Sequence, residues 1–579
     1  MAHQCEVTLS LLPANQIKAL PLCLEKFPNI MDKDFKGVNL IKKLLSGGRV
    51  VNTSTDTDRV VAVNLTIAIK HCGYFALLPE NLDLEAHLEM YPLTNFKFRQ
   101  ISDKIISYND NGTFGSNFDI EGLIHILDLL NIIPARNKDL ITEDGFVPIN
   151  STKIRNYLRD YECYLDYLIK TDILVPDNHY IVGEKSRGYK FAPAYENSRL
   201  VQYNYRRFIS QQPQTVSELN QRFENNTLVN YSYLTHWYYH MQLAIDKEAA
   251  EDYALALMQK KFRLGYNSWD KNRDKWSNKR NDYCRKNPRT QYWAVMRNIN
   301  HIDRGDYKAM IDTNIHRLHS VITNMQKDFR NFLSCDGQQL VSIDIKNSQP
   351  YLSCILFNPD FWDVNSTLYL RLNQLPDNIK NSIIFTPPSR GAVSILDSLT
   401  EFFNGLNGYE FDLFRNIVSA GRLYETIKEW IQEERGETIP RSDVKTIIFK
   451  LFFAPNRVDS NDDNHWLMVY FREKFPQVAE VFRVIKRQYR GLREEKQHGR
   501  LACLLQSIES EIILHRCCKR VWEENPQQVP IFTIHDSIAT TVEHRNYVKR
   551  IMEEELTACI GIAPSLSEES WLISNLEEV

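Results

Sequence analysis

The sequence predicts an α+β protein, with an antiparallel sheet served by separate helices and preceded by a smaller region of mixed strands and helices. Three observations predict it. Two apolar, β-branched runs, Leu340–Ile345 and Ile531–Val542, read as strands, the second as a hairpin with His535-Asp536-Ser537 at its tip. Between them, Arg441–Phe453 has helical periodicity behind a proline start signal, Pro440. The first 140 or so residues alternate short strands and helices, which predicts an N-terminal α/β accessory region.

At 579 residues the chain is too long for one ordinary domain. Hydrophobic content of 43% and charged content of 25% describe an ordinary globular protein. A formal net charge of −3 provides no global basic field for nucleic acid, though a local cationic cleft remains compatible with it. The 11 cysteines are scattered without recurring Cys-x-x-Cys pairs, so neither a disulfide framework nor a zinc ribbon is expected. The N-terminal residues lack a basic segment leading to an apolar run, and no stretch approaches about 20 apolar residues. A cytoplasmic protein without a membrane partner is expected.

Residues 1–145 carry no assignable motif, and their clearest apolar run is Val60–Ile69. In residues 146–210, Tyr157, Leu158, Tyr161, Tyr164, Leu165 and Leu168 recur at helical spacing, followed by a hairpin pattern with Lys185 and Arg187 near its tip. This fits a winged-helix-like piece touching a phosphate backbone, or a small structural hairpin with a solvated tip. Residues 211–310 read as helical. Their second half interleaves Lys and Arg with Trp269, Trp276, Tyr283, Tyr292 and Trp293, which suits either a nucleic-acid surface or a basic helix whose rings face a core.

A lone buried carboxylate is costly, so Asp536 must sit at an exposed tip, pair with a cation or bind a metal. Asp344 ends the other strand and precedes Asn347, Ser348 and Gln349, with a helix expected from Pro350. Its plainer role would be as the cap of that helix. Two such carboxylates meeting in space suit two Mg²⁺ ions in an in-line phosphoryl displacement. On the intervening helix Arg441, Lys445, Phe449 and Phe453 stand four apart and share one broad side. Two cations followed by two rings suit a nucleoside triphosphate; the same spacing also suits an amphipathic core helix with a charged first turn.

The Arg-x3-Lys-x3-Phe-x3-Phe-Ala pattern resembles the fingers helix of family-A DNA polymerases. Arg317-Leu-His-Ser-Val-Ile-Thr-Asn324-Met-Gln326 is similar to that family's segment against the primer-template minor groove. Leu505-Gln506-Ser-Ile-Glu509-Ser-Glu511-Ile-Ile513 resembles its Gln-bearing helix, and the two Asp stretches resemble the first and last palm motifs. All five occur in the family's order. The resemblance implies a right-hand polymerase: a palm with an antiparallel sheet (311–360 and 490–579), helical fingers (361–489) and a helical thumb (211–310).

It further implies that Asp344 and Asp536 are catalytic and hold two Mg²⁺ ions, and that Lys445 assists catalysis. Arg441, Lys445, Phe449, Phe453 and Gln349 would bind nucleotide, with Gln349 or Tyr351 near the sugar. Arg317, Asn324, Gln326, Gln506 and His535 would contact a primed template. The first motif departs from the DNA-polymerase pattern by two extra residues before Ser348-Gln349 and by lacking its steric-gate Glu. His535-Asp536-Ser537 looks instead like the single-subunit, phage-type RNA polymerases, and Arg441-Ser442-x-x-Lys445 is also similar to theirs. The expected function is therefore that of a DNA polymerase without a recognisable proofreading exonuclease. A single-subunit RNA polymerase or primase-like enzyme is the alternative, and a nucleic-acid-binding protein on an inactive palm comes third.

Overall fold

The structure is a computed structural model. It describes residues 6–7, 50–51, 74–92, 120–136, 145–205 (except 157, 159–160 and 178–185), 231–264 (except 232, 235–236 and 238–242), 275–277, 282–284, 288–305, 309–363, 370–384, 393–403, 408–456, 465–487, 489, 494–525 and 528–579. The Val60–Ile69 run, Tyr157, Lys185 and Trp269 lie outside these residues, as do the side chains of Trp276 and Tyr283. The chain forms two compact units. One comprises 1–222, 245–306 and 577–579, and the other 223–244 and 307–576.

In the first unit, strand Tyr74–Pro79 pairs antiparallel with Leu200–Tyr205, and the helix Ile120–Arg136 packs on it. A second sheet has the order Val147–Pro148, Gly188–Phe191, Leu174–Pro176. The helix Tyr161–Lys170 buries Tyr161, Tyr164, Leu165 and Leu168, as their spacing requires, and also Cys163 and Tyr167. With so much of its surface buried, this helix keeps mainly Glu162, Asp166, Ile169 and Lys170 towards solvent.

The region expected to form one helical thumb, 211–310, is divided between the units: 223–244 groups with the second, and 245–306 with the first. Helices Lys247–Leu264 and Pro288–Asp303 pack on each other, and Pro288–Asp303 also packs on Ile120–Arg136. Several described rings and cations here serve the interior, whereas Arg263 is exposed. Tyr292 and Trp293 are buried, and the Tyr292 hydroxyl accepts from the Leu200 backbone N–H at 3.1 Å. Arg289 pairs with Glu196 at 2.8 Å, and Arg297 pairs with the buried Asp128. Burying a large ring is worth more than leaving it to wait for a partner, and each buried cation then needs its own carboxylate.

The second unit is built around a mixed-length antiparallel sheet. Its strands run in the order Phe532–Ile534, Ser537–Thr541, Gln338–Ile345, Leu333–Cys335, Leu243–Ile245, and Leu566–Ser570 pairs with Gln338–Ile345 as well. Asp336 and Gly337 join two of these strands, both with positive φ (49° and 75°), the backbone of a tight two-residue hairpin turn. The Arg545–Ile560 helix packs on the sheet and buries Val548, Ile551, Met552 and Leu556.

Seven helices between Asp377 and Ile485 form a separate cluster of elements in this unit. Phenylalanines fill it: Phe357 stacks on Phe411 with ring centres 4.8 Å apart, Phe414 meets Phe475 at 5.3 Å, and Phe452 meets Phe482 at 4.7 Å. Helix Arg500–Ser510 continues through a π-helical stretch, Glu511–Cys518, into Lys519–Glu524. A helical cluster and an antiparallel sheet are thus both present in this unit, and among the described cysteines Cys335, Cys354, Cys503, Cys517, Cys518 and Cys559 are free thiols. Among the described residues no helix is long and apolar enough to cross a membrane.

Asp128 takes the Leu77 backbone N–H at 3.1 Å besides its pairing with Arg297. Asp128→Ala leaves that guanidinium largely buried without a counter-charge, so the first unit should lose about 3–5 kcal/mol in chemical denaturation.

Candidate active site

The two aspartates about 190 positions apart converge on one end of the sheet. In the register Asp344 lies opposite Ser537, and Asp536 immediately precedes Ser537 in the two-residue turn His535-Asp536. Asp344 shares a strand face with Ser342, whose hydroxyl donates to Asp344 Oδ2 at 2.7 Å. On the other flank Asp344 lies opposite Ser567, and Ser342 opposite Glu569, which pairs with Lys327 at 2.8 Å. The intervening Val341, Ile343 and Ile345 are buried. Alternation along the strand thus separates an apolar side from the acidic one.

Both carboxyls sit above the ordinary carboxylate range. Burial raises Asp344, against the Ser342 and Ser537 hydroxyls that stabilise its charge. Burial raises Asp536 too, and the charge of Asp344 adds to it, while the Ser348 hydroxyl and Arg317 oppose it. Neither aspartate has an ion-pair partner among the described residues. Asp344 does not cap the helix that follows: Asn347 occupies that place, with φ 52° and no side-chain capping bond. His535 also has positive φ, 57°. Left-handed backbone thus occurs at or close to both acids, at residue types that tolerate it better than most.

Arg317 reaches this site from a clasped loop. The Asp312 carboxylate accepts from the backbone N–H groups of Asn314, Ile315 and Arg317 at 2.9, 2.9 and 3.1 Å, and lies 3.2 Å from His319 Nε2. Burial works to raise Asp312, but those bonds win and hold it below its usual value. From this loop Arg317 Nη2 donates to Glu509 Oε2 at 2.7 Å, and Gln349 Nε2 donates to the same oxygen at 2.8 Å. Glu509 is therefore the hub of two expected site residues, a place its sequence motif did not announce. Its one signal was a carboxylate in a stripe with Leu505, Ile508 and Ile512 that the helix must bury. Burial pushes it up to about 7 despite Arg317, and the charge of Asp536 contributes.

The helix Arg441–Phe453 starts where Pro440 predicts, buries Val444, Ile447, Ile448, Leu451 and Phe452, and leaves Arg441 and Lys445 exposed. Phe449 and Phe453 are half-buried on the same side and stack at 5.5 Å, with Lys445 Nζ 5.6 Å from the Phe449 ring centre. Arg441 is engaged already: its Nε donates to Glu425 at 2.6 Å and its guanidinium lies 4.9 Å from the Tyr424 ring centre. Burial pushes Tyr424 up to about 12, and the charge of Asp536 is among the smaller causes. The Arg441–Tyr424 pair thus stands within the electrostatic reach of Asp536. Lys445 has no carboxylate partner among the described residues. At the helix C-terminus, buried Lys486 donates to the Leu451 and Ala454 carbonyls at 2.7 and 3.1 Å and is lowered by burial to about 8.

The remaining expected residues are less tightly gathered. Ser320 and Thr323 form a capping box for the one-turn helix Val321–Asn324, which leaves Asn324 exposed. Gln326 donates to Asp328 at 3.1 Å, and Gln506 is half-buried on the Arg500–Ser510 helix. His535 is lowered by burial to about 4, with help from Arg317, His319 and Arg330, so it is neutral at pH 7. Tyr351 is removed from the sugar question, because it is buried and donates to the Ile562 carbonyl at 2.7 Å.

Among the described residues no group of three or more His, Cys, Asp and Glu side chains could hold a metal ion by itself. The donor chemistry at Asp344 and Asp536 nevertheless fits a hard divalent cation. Burial raises both carboxyls, the charge of Glu569 adding to Asp344 and that of Asp344 to Asp536, and magnesium ordinarily completes its shell with water and substrate phosphates. Buried polar atoms without hydrogen bonds, including Asn347 Nδ2, Gln349 Oε1 and His535 Nδ1, belong to residues beside these acids in the sequence, as a functional site would have.

No protein-family model and no curated protein matches the chain. Among solved structures, it is similar to the POL domain of Pol1 from M. smegmatis, in complex with DNA primer-template and dNTP. The match has 11% identity and a TM-score of 0.30, over 62% of this chain and 73% of that one. A likeness that slight leaves the reading of the site to the site's own geometry.

The raised Glu509 carboxyl has a consequence for stability. An unfolded Glu releases its proton near pH 4.3, whereas Glu509 in the fold retains it up to about pH 7. The native state binds the extra proton across that window, so stability should fall as pH rises through it. Glu509→Gln should flatten that part of a melting-temperature-against-pH curve.

Proposed function

We propose that the protein performs template-directed nucleotidyl transfer as a DNA polymerase, on a primed nucleic-acid template with dNTP substrates and two Mg²⁺ ions. The supporting observation is the convergence of Asp344, near the end of its strand, and Asp536, in the turn that leads into the neighbouring strand, with the Arg441–Tyr424 pair within reach of Asp536's charge. Magnesium, when held by the two aspartates, supplies charge neutralisation on the triphosphate and a lowered pKa for the attacking 3′-hydroxyl. The chain's own residues do the rest. Lys445 neutralises phosphate oxygens and delivers a proton to the leaving pyrophosphate, and Arg441 exchanges Glu425 for phosphate. The stacked Phe449 and Phe453 form an apolar wall for base and sugar. Arg317, Asn324, Gln326, Gln506 and His535 line the primer-template, and Gln349 faces the nucleotide. Template pairing then supplies sequence choice.

One observation favours the RNA-synthesising alternative: Ser537 follows Asp536, so that the turn reads His-Asp-Ser and resembles the single-subunit, phage-type RNA polymerases. Incorporation of labelled dNTPs against NTPs on a primed template decides between the two, and preference for NTPs would overturn the DNA-polymerase assignment.

Asp344→Ala and Asp536→Ala should each lower incorporation by about a thousandfold or more while leaving primed-template affinity within about threefold. Lys445→Ala should lower turnover by about a hundredfold, again with little change in template affinity. Equal losses in turnover and affinity would contradict the role given to Lys445.

A further inference from the structure

The helix Arg441–Phe453 ends without a left-handed cap. Ala454 follows it in extended backbone (φ −84°, ψ 158°), so the chain does not turn back onto the last carbonyls. Donors come instead from another helix. Lys486, at the end of Pro476–Ile485, donates through Nζ to the Leu451 carbonyl at 2.7 Å and to the Ala454 carbonyl at 3.1 Å. One ammonium thus brackets the backbone of Phe452, which packs on Phe482 of the second helix, and of Phe453, which stacks on Phe449. The tie is returned, because Asn456 Nδ2 donates at 2.9 Å to the Arg483 carbonyl in the last turn of Pro476–Ile485. Two helix C-termini, each with partial negative charge, are braced together with a cation where they meet.

A lysine at a helix end ordinarily buries its stem and leaves its ammonium in water. Lys486 is 4% exposed and takes two carbonyls with no carboxylate among the described residues. Burial lowers it to about 8, and the charge of Arg472 adds to that. The fold bears this cost for charge-assisted bonds, which are roughly twice as strong as neutral ones. The residue beside it is anchored in turn. Arg487 Nη1 donates to Ser398 Oγ at 2.8 Å, and Arg500 Nη1 donates to the Arg487 carbonyl at 2.6 Å. The joint Lys486-Arg487 is therefore fixed to the helices Ile395–Phe403 and Arg500–Ser510 as well.

We propose that Lys486 is a positioning residue: by bracing the end of the Arg441–Phe453 helix it sets where Phe449 and Phe453 stand, and with them the affinity for the incoming nucleotide. The role in affinity rests on the nucleotidyl-transfer reading above, whereas the brace does not. Lys486 makes no bond to Asp344, Asp536 or Lys445, so the chemical step should survive its loss.

The test compares the full-length wild type with Lys486→Met, which keeps an apolar stem and deletes the donors, and with Asn456→Ala, which removes the return bond near the surface. Hydrogen–deuterium exchange reads the brace, and steady-state primer extension on a primed template with Mg²⁺, using dNTPs and NTPs separately, reads its use. Lys486→Met should speed exchange of the amides at 451–456 by about tenfold. It should raise nucleotide KM by about tenfold, change kcat by less than about threefold and leave primed-template affinity within about twofold. Asn456→Ala should move exchange and KM in the same direction by about threefold. A merely structural role would lower melting temperature and the active fraction, hence kcat, at constant KM; that result overturns the proposal. Faster exchange with an unaltered KM overturns it too, and unaltered exchange in both variants overturns the brace itself. Should Lys486→Met fail to fold, Asn456→Ala decides by the same readouts. A wild type that incorporates neither dNTPs nor NTPs overturns the nucleotidyl-transfer reading, and the role in nucleotide affinity with it, whatever the exchange shows.

Discussion

Antiparallel pairing between Gln338–Ile345 and Ser537–Thr541 puts Asp344 opposite Ser537, and the rest of the site is arranged around that register. Side chains alternate across a strand, so a slip of one residue would turn Asp344 into the apolar layer and bring Ile343 or Ile345 to the acidic side. Several devices hold the register. The Asp336-Gly337 turn sets one end locally, Leu566–Ser570 pairs along the free flank, and the buried Val341, Ile343 and Ile345 commit their face to the core. The acids carry no sequence-local support comparable to this. Their placement is a property of the sheet.

The site is electrostatically expensive, and the surrounding residues limit the cost without removing it. Hydroxyls from Ser342, Ser537 and Ser348 stabilise the aspartate charges, and Arg317 is shared between the neighbourhood of Asp536 and a direct bond to Glu509. Arg317 is itself oriented by a loop whose backbone is gathered by Asp312. In the helical cluster, Lys486 satisfies carbonyls at the end of the Arg441–Phe453 helix that would otherwise be left without donors.

Much of this was legible from the residues. The strand runs around Asp344 and Asp536, the hairpin turn at His535-Asp536 and the Arg441–Phe453 helix all follow from periodicity and turn chemistry, because they are local. Partnerships across long sequence separations were not legible. Glu509 looked like one polar position in a helix, and only the fold makes it the meeting point of Arg317 and Gln349. Tyr351 stands only two positions beyond Gln349 but turns into the core, a choice made by tertiary packing. The basic, aromatic stretch near Tyr292 and Trp293 was ambiguous because rings and cations suit a phosphate surface and a buried ion-paired layer alike.

The central strand's arrangement also bears on how the chain matures during synthesis. Residues 340–345 find their partners on one flank in 537–541 and on the other in 566–570, both far later in the chain. Until then the strand presents two bare edges of backbone donors and acceptors, the state in which β-segments add foreign strands. A chain whose helical cluster has formed is therefore still without the sheet end that holds Asp344 and Asp536, and its vulnerability to misassembly lasts until residues 537–541 and 566–570 have joined the strand.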